Sequence, residues 1–288
     1  MNKKYLLLML SLVAAIVVIG SVPTKKKDIY IQLYSVRADI KTDFKGTIAK
    51  VAAMGFKGIE AAGYNDGKFY GLTPEEFKKE IEANGMSVLS SHAGRSLDEN
   101  VKNTNWDETL KWWNTAIQAH KAAGMKYLVT ASMPKPKTLA DLKAYCDYFN
   151  QIGEKCNAAG LRFGYHNHDF EFAFIEGEMM YDYMLKNTDP KKVFFEMDVY
   201  WTVRGGQSPV DYFNNYPGRF EILHIKDNKE LGQSGMVGFD AIFQNTEKAG
   251  VKYLVAEIEN YNFPPLESVS KSLDYLLKNP NVKANYSK

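Results

Sequence analysis

The sequence predicts an α/β fold in which strands and helices alternate eight times and close into a single-domain (β/α)8 barrel. The alternation runs over about 260 residues, which is the usual size of such a barrel. The strands are short apolar runs of the kind buried on both faces of a parallel sheet. A doubly wound open sheet is the alternative, but neither a G-x-G-x-x-G loop nor a Walker loop follows the first strand. We therefore place one barrel domain at residues 28–285.

Apolar runs rich in β-branched and aromatic residues define the predicted strands. They lie within residues 28–35, 58–62, 86–92, 126–131, 162–172, 193–199, 221–227 and 253–259. The eight runs are short enough to lie side by side as the parallel strands of one barrel wall.

Apolar residues at helical spacing define the connecting helices. Gly55 and Gly160 terminate two of them, and Thr73, Pro74 and Glu76 form a capping-box pattern at the start of another. The helices are expected at residues 43–54, 73–84, 107–123, 138–159, 179–185, 209–215, 239–249 and 266–277.

The charge of the chain excludes some partners. Lys and Arg number 36 and Asp and Glu number 34, which gives a net charge of only +2. Such a balance provides no electrostatic footprint for nucleic acid or for an anionic membrane. A small, uncharged partner such as a sugar fits better, and a homo-oligomer is compatible with the sequence.

The N-terminus has the pattern of an export signal. Lys3 and Lys4 precede an apolar run at residues 5–19, and the small residues Gly20 and Ser21 follow it. We expect residues 1–22 to be a cleaved signal peptide, which implies an exported, periplasmic barrel with no membrane anchor after cleavage. An uncleaved anchor is the alternative.

Polar residues cluster at the predicted C-terminal ends of the strands. Because parallel strands of a barrel end on one face, these side chains become neighbours there. Oxygen and nitrogen donors without a thiolate suit Mn²⁺, Zn²⁺, Co²⁺ or Fe²⁺, so metal binding is the leading inference. The residues are Gln32, Tyr34, Glu60, His92, Thr130, His166, Asn167, His168, Asp198, His224, Lys226, Asp227, Glu257 and Glu259.

The last three strands carry recognisable motifs: Asp198 in Glu-Met-Asp-Val-Tyr-Trp, His224 in Leu-His-Ile-Lys-Asp and Glu257 in Val-Ala-Glu-Ile-Glu. With the 26-residue interval from Asp198 to His224, they resemble the xylose isomerase-like TIM barrels, a family of sugar phosphate isomerases and epimerases. The resemblance covers the whole chain after the N-terminal segment. It implies one metal ligand from each of the last four strands, in the order Glu, Asp, His, Glu.

The fifth strand departs from that pattern. Many relatives have Glu-Asn-His there, whereas this chain has His166-Asn167-His168, so the resemblance puts His166 in the glutamate position. His168 points the same way along an extended strand, and Glu171 could fold back as an oxygen ligand. The resemblance therefore implies a metal site of His166, Asp198, His224 and Glu257, with the fifth-strand ligand left open among three residues.

The same substitution affects the expected reaction. In the family's ketose epimerases two metal-bound glutamates exchange a proton on opposite sides of the substrate carbon. Here Glu257 alone remains as that kind of base, with His168 and His166 as further catalytic candidates. The resemblance implies an isomerase or epimerase acting through an enediolate. The alternatives are a lyase or dehydratase acting on a 3-keto-glycoside or inosose, and a non-catalytic sugar-binding barrel.

Other residues at the strand ends are candidates for substrate binding. Trp201 could stack on a sugar, and Lys226 points the same way as His224 by strand alternation. His120 lies in the third predicted helix and is expected on the surface. The substrate-binding candidates are Gln32, Glu60, His92, Trp201 and Lys226.

The two cysteines generate the first prediction. Cys146 and Cys156 fall ten residues apart in one predicted helix, which separates them by about 15 Å, too far for a disulfide. Thiol titration of the denatured, unreduced protein should find two free thiols per chain. A monomer with no titratable thiol would contradict the helix.

Overall fold

The computed structural model describes residues 26–287, and in them the predicted barrel is present. Residues 1–22, expected to be a signal peptide, lie outside this range. Eight parallel strands form the wall in the order β3-β2-β1-β8-β7-β6-β5-β4. Their bounds are β1 Ile29–Gln32, β2 Gly58–Ala61, β3 Ser87–Ser91, β4 Tyr127–Thr130, β5 Arg162–His166, β6 Val193–Asp198, β7 Ile222–Lys226 and β8 Tyr253–Glu257.

The two outermost strands of that order, β3 and β4, meet and close the wall. His92 and Val129 form a parallel bridge. The Lys126 N–H donates to the Leu89 carbonyl at 2.9 Å, and the Ala93 N–H donates to the Val129 carbonyl at 2.8 Å. The eight strands therefore form one continuous barrel.

Helices cover the outside of the barrel. None of those in residues 26–287 combines the length and apolar character that crossing a membrane requires. They are α1 Arg37–Thr42, α2 Phe44–Met54, α3 Pro74–Ala83, α4 Trp106–Ala122, α5 Leu139–Ala159, α6 Met180–Asn187, α7 Val199–Arg204, α8 Pro209–Asn215, α9 Phe239–Gln244, α10 Thr246–Ala249 and α11 Pro265–Lys278.

Most local signals act as the sequence predicts. Thr73 and Glu76 form the reciprocal capping box at the start of α3, and Gly55 and Gly160 end α2 and α5 in the left-handed conformation. Cys146 and Cys156 are both buried in α5. The prediction of their spacing in one helix is confirmed.

Several boundaries differ from the prediction. The first strand ends at Gln32 because its side-chain oxygen accepts from the Tyr34 N–H at 3.1 Å and starts a 3₁₀ turn at Leu33–Val36. The helix predicted at 239–249 is two helices, with Asn245 between them. Helices α1 and α7, and two short hairpins after β2 and β5, had not been predicted.

An apolar layer fills the N-terminal half of the barrel interior. Tyr30, Tyr127 and Tyr253 pack edge to face there, and Phe194 packs against Tyr127. The remaining members of this buried cluster are Leu89, Val129, Ile222 and Val255. Polar side chains that face inward therefore collect at the opposite, C-terminal end of the strands.

His120 lies in the core, so the expectation of a surface position was wrong. Its side chain has no exposed surface and packs against Tyr64 and Phe69. Its Nδ1 lies 2.7 Å from the Ala116 carbonyl one turn earlier in the helix. Burial lowers the pKa of His120 to about 4, and the Ala116 hydrogen bond offsets this only in part. His120 is therefore a neutral core residue at pH 7.

This burial predicts a pH-dependent stability. The unfolded chain binds a proton at His120 near pH 6.5, whereas the folded chain binds it only near pH 4. Unfolding therefore takes up a proton between these values, and stability falls as the pH falls through this window. At pH 4.5 the loss from His120 should be about 2.5 kcal/mol.

In His120→Leu the drop in unfolding free energy between pH 7.5 and 4.5 should be smaller than in the wild type by about this amount. Urea titrations of both proteins at the two pH values measure it. Equal drops would show that His120 does not titrate as a buried neutral group.

Candidate active site

Strand register brings the donors together at the C-terminal mouth of the barrel. On adjacent strands, Asp198 of β6 pairs with His224 of β7, and Lys226 of β7 pairs with Glu257 of β8. Alternate residues of a strand face the same side. Polar residues two positions apart, such as His224 and Lys226, therefore form successive layers in the barrel interior.

Four of these side chains, His166, Asp198, His224 and Glu257, form what we call the outer group. All four are buried, and one ligand atom from each lies within 4.8 Å of the others. Within residues 26–287 no atom forms a hydrogen bond with His166 Nδ1, Asp198 Oδ2 or His224 Nδ1. Unpaired polar atoms are rare in protein interiors. Three of them converging with a carboxylate fit a divalent cation held by nitrogen and oxygen donors.

A second set, Glu60, His92 and Glu196, lies against the outer group and is called the inner layer here. Glu60 Oε1 is 2.6 Å from His224 Nε2 and 3.1 Å from His92 Nε2. Glu196 Oε2 is 2.8 Å from His92 Nε2 and 3.3 Å from His224 Nε2. The inner layer is thus a network of paired carboxylates and imidazoles.

Glu196 had not been assigned a role from the sequence. It is fully buried, and its Oε2 also lies 3.4 Å from His166 Nδ1. The available signal was strand alternation, because Glu196 precedes Asp198 by two residues and must face the same side. A carboxylate in the middle of the apolar run Phe-Phe-Glu-Met was the clue.

A second set of four residues, which joins two members of the inner layer to two histidines of the outer group, could also be considered as a cation site. His92, His166, Glu196 and His224 also have ligand atoms within 4.8 Å of one another. Two of those atoms, His92 Nε2 and Glu196 Oε2, already bond each other at 2.8 Å. Each set has three atoms without a hydrogen-bond partner in residues 26–287, but the 2.8 Å contact between His92 and Glu196 makes the outer group the better fit for a cation.

Gln32 and Glu60, expected to contact substrate, have other partners. Both are fully buried. The Gln32 amide donates to Glu60 Oε1 at 2.8 Å, and the Ser90 hydroxyl donates to Glu60 Oε2 at 2.6 Å. These contacts place the two side chains beneath the mouth, where they support His224 instead of lining the surface. Substrate contact by either of them stays a prediction.

The remaining sequence candidates lie around the mouth. Lys226 Nζ is 3.1 Å from Glu257 Oε2, 2.6 Å from Glu259 Oε2 and 5.2 Å from the Trp201 ring centre. The Trp201 and His168 rings are 5.7 Å apart. Among the described residues, nothing bonds Trp201 Nε1 or His168 Nδ1. Both atoms are buried and have unused hydrogen-bonding capacity.

The loop after β5 is held by Asn167 and Glu171. Asn167 Oδ1 accepts from the Asp198 N–H at 3.1 Å and from the Tyr181 hydroxyl at 3.2 Å. Glu171 accepts from the Tyr165 hydroxyl at 2.6 Å and from the His168 N–H at 2.9 Å. Both oxygens of Glu171 are thus occupied in positioning the loop, whereas His166 lies with the other donors of the outer group.

Burial sets the protonation of the outer group. Burial lowers the pKa of His166 well below its ordinary value, and the charges of His224 and His92 add to this, so His166 is neutral at pH 7. Burial also raises the pKa of Asp198 to about 7, which Lys226 offsets only in part. A cation beside Asp198 would favour its ionised form.

Two carboxylates are ionised in spite of burial. Burial would raise the pKa of Glu257, but the charges of Lys226 and His224 hold it below its usual range. Burial would likewise raise the pKa of Glu60, but His92 and His224 hold it well below its usual value. Glu257 can therefore accept a proton, and Glu60 can accept hydrogen bonds.

Comparison with known proteins identifies similar chains. The chain is 36% identical to a sugar phosphate isomerase/epimerase from Parabacteroides distasonis ATCC 8503 over 89% of this chain and 100% of that one, with a TM-score of 0.83. It is 21% identical over 196 residues to the inosose dehydratase of Geobacillus kaustophilus (strain HTA426); the match covers 62% of this chain and 60% of that relative's length. It shares its fold with the zinc-bound IOLI protein at a TM-score of 0.68 and 14% identity, over 91% and 100% of the two chains.

The family model of the xylose isomerase-like TIM barrel matches residues 48–279. This range includes every strand from β2 to β8 and all four members of the outer group. The chain belongs to the xylose isomerase-like TIM barrel family.

Proposed function

We propose that this chain is a divalent-metal-dependent isomerase or epimerase of a keto-sugar or sugar derivative, with Glu257 as the proton-transfer base. The observation that carries the proposal is the outer group. It consists of four buried donors from consecutive strands, three of which present atoms without a hydrogen-bond partner in residues 26–287. Buried, unpaired donors at the mouth of a barrel are expected where a ligand completes the structure.

The cation would be held by His166, Asp198, His224 and Glu257. Nitrogen and carboxylate donors suit Mn²⁺, Zn²⁺, Co²⁺ or Fe²⁺. When bound, such an ion polarises a substrate carbonyl and makes the hydrogen on the adjacent carbon more acidic. The neutral state of His166 keeps its lone pair available for this role.

Glu257 and its neighbours would move the proton. The ionised Glu257 takes the hydrogen from the carbon beside the carbonyl and can return it to the neighbouring carbon, which isomerises the sugar. Epimerisation would need a proton delivered to the same carbon from its opposite face. Lys226, 3.1 Å away, keeps this carboxylate ionised between turnovers. His168 has a pKa lowered by burial and by the charge of Lys226, so its neutral ring can exchange a proton with a substrate hydroxyl.

The mouth suits a sugar better than a phosphate ester. Lys226 is already paired with Glu257 and Glu259, so its charge is compensated. Trp201 offers both a ring face and an unpaired indole N–H, the usual combination for binding a sugar. A separate cavity of about 430 Å³ lies beside the ends of β1 and β2. It is lined by Leu33, Tyr34, Arg37, Ile40, Lys41, Phe44, Ala62 and Tyr70.

A second candidate is a lyase or dehydratase acting on a keto-glycoside or inosose. The observation that favours it is His166, an imidazole where the family pattern has a carboxylate, which leaves Glu257 as the carboxylate base of the outer group. One base that removes a proton and one acid that protonates a leaving hydroxyl suffice for elimination. The similarity to an inosose dehydratase supports the same chemistry.

We also propose that the protein is exported to the periplasm. The support is the basic and apolar pattern of residues 1–22. Export agrees with an unphosphorylated sugar or glycoside as substrate.

The metal site predicts a defined stoichiometry. Wild-type protein incubated with Zn²⁺ or Mn²⁺ and then desalted should retain about one ion per chain, measured by elemental analysis. His224→Ala and Asp198→Asn should lose most of it because each removes a ligand. His120→Leu, which changes a buried histidine in the helical layer, is the control and should retain the ion. Equal metal content in His224→Ala and the wild type would contradict the site.

The base assignment predicts a loss of isotope exchange. With keto-sugars in D₂O, the wild type should introduce deuterium at the carbon beside the carbonyl, detected by NMR. Glu257→Gln should keep much of the metal but lose at least about 10³-fold in rate, because an amide cannot accept the proton. Full exchange by Glu257→Gln would assign the base elsewhere. A product that has lost the elements of water or an aglycone relative to the substrate would identify a lyase.

A further inference from the structure

We propose that Glu60 is a positioning residue that fixes the tautomer and ring orientation of His224, so that Nδ1 of His224 faces the cation site. The inference rests on the proposed metal site and assigns to it a residue outside the ligand set. Glu60 lies on β2, on the side of the barrel away from the strands that carry the outer group.

The two ring nitrogens of His224 face different surroundings. Nε2 is 2.6 Å from Glu60 Oε1. Nδ1 is 3.4 Å from Glu257 Oε2, and in residues 26–287 no group hydrogen-bonds to it. Burial opposes the charged form of His224, but Glu196 and Glu60 raise its pKa well above the ordinary value, so both ring nitrogens are protonated when no cation is bound. A bound cation would replace one of these protons, because an imidazole that ligates a metal is neutral and carries one proton. If Nε2 carries the remaining proton, Nδ1 has a free lone pair directed at the other three members of the outer group.

The contacts of Glu60 show that its carboxylate accepts hydrogen bonds. Its Oε1 accepts from the Gln32 amide nitrogen at 2.8 Å, and its Oε2 accepts from the Ser90 hydroxyl at 2.6 Å. Both oxygens of the ionised Glu60 carboxylate are acceptors. The hydrogen between Glu60 Oε1 and His224 Nε2 must therefore be carried by Nε2. The tautomer of His224 follows from the neighbours of Glu60.

Glu60 is also held firmly enough to orient a ring. Gln32, Glu60 and Ser90 come from β1, β2 and β3 and pair in register across these strands. All three are fully buried. A ring fixed by a carboxylate with two further anchors has little freedom to rotate. Carboxylate–histidine–metal arrangements of this kind raise the basicity of the ligand nitrogen and reduce the entropy lost on binding.

The experiment measures Zn²⁺ affinity, by competition with a chromophoric chelator, in wild type, Glu60→Gln and Glu230→Gln. Glu230 is the matched control. It is a buried carboxylate that accepts from the Ser268 hydroxyl at 2.6 Å and from the Asn262 N–H at 2.8 Å, and it belongs to neither the outer group nor the inner layer. Glu60→Gln should bind Zn²⁺ about tenfold to a hundredfold more weakly, whereas Glu230→Gln should match the wild type.

A second readout separates positioning from a general loss of structure. In ¹⁵N-histidine NMR of the zinc-bound wild type, the His224 proton should lie on Nε2, with Nδ1 as the ligand. Ser90→Ala, which removes one anchor of Glu60 but leaves its contact with His224, should give a smaller loss of affinity than Glu60→Gln. It serves as the graded variant if Glu60→Gln is too unstable to purify.

The outcomes are distinct. If wild type binds Zn²⁺ and Glu60→Gln binds it equally well, or if the proton of His224 lies on Nδ1, the positioning role is wrong and the metal site stands. If Glu196→Gln abolishes binding while Asp198→Asn does not, the ion occupies the inner layer and Glu60 does not act as proposed. If wild type binds no Zn²⁺, both this inference and the proposed metal-dependent function fail.

Discussion

Pairing between buried carboxylates and imidazoles is the interaction on which the site depends. Glu60 and Glu196 have no exposed surface, and an isolated ionised carboxylate in such a place would be strongly unfavourable. His92 and His224 lie between them and compensate their charge. Removing one partner would leave the other buried and unpaired, which costs more than the pair contributes. The barrel interior therefore holds this network as a unit.

The network explains why the site has two layers with different properties. In the inner layer the polar atoms are largely satisfied by one another, which makes that layer rigid. In the outer group Asp198 and His166 present atoms with no hydrogen-bond partner in the described part of the chain. An apolar layer of tyrosines and Phe194 closes the barrel beneath both. The proposed chemistry would therefore take place at the mouth, close to Trp201 and His168.

His166 is the residue that distinguishes this site from the family pattern. A neutral imidazole in place of a carboxylate would leave a bound cation with one more unit of net positive charge, and it would polarise a carbonyl more strongly. The imidazole of His166 also takes the place of a second carboxylate base that the family pattern would supply. In the proposed function both effects favour a single carboxylate base, which would be Glu257, and Lys226 helps to keep that carboxylate ionised. The choice between isomerisation and elimination then depends on the leaving group of the substrate.

The sequence alone determined the barrel, because strand and helix patterns, capping boxes and terminal glycines are local signals. It also placed Asp198, His224 and Glu257 at strand ends, where barrel geometry brings them together. Only the tertiary structure decided how the interior is shared. The contact between Glu196 and His92, the contact between Glu60 and His224, and the burial of His120 arise from register and packing between segments distant in the chain. Local patterns specify which side of a strand a residue faces, but the partner it meets is set by how the barrel closes.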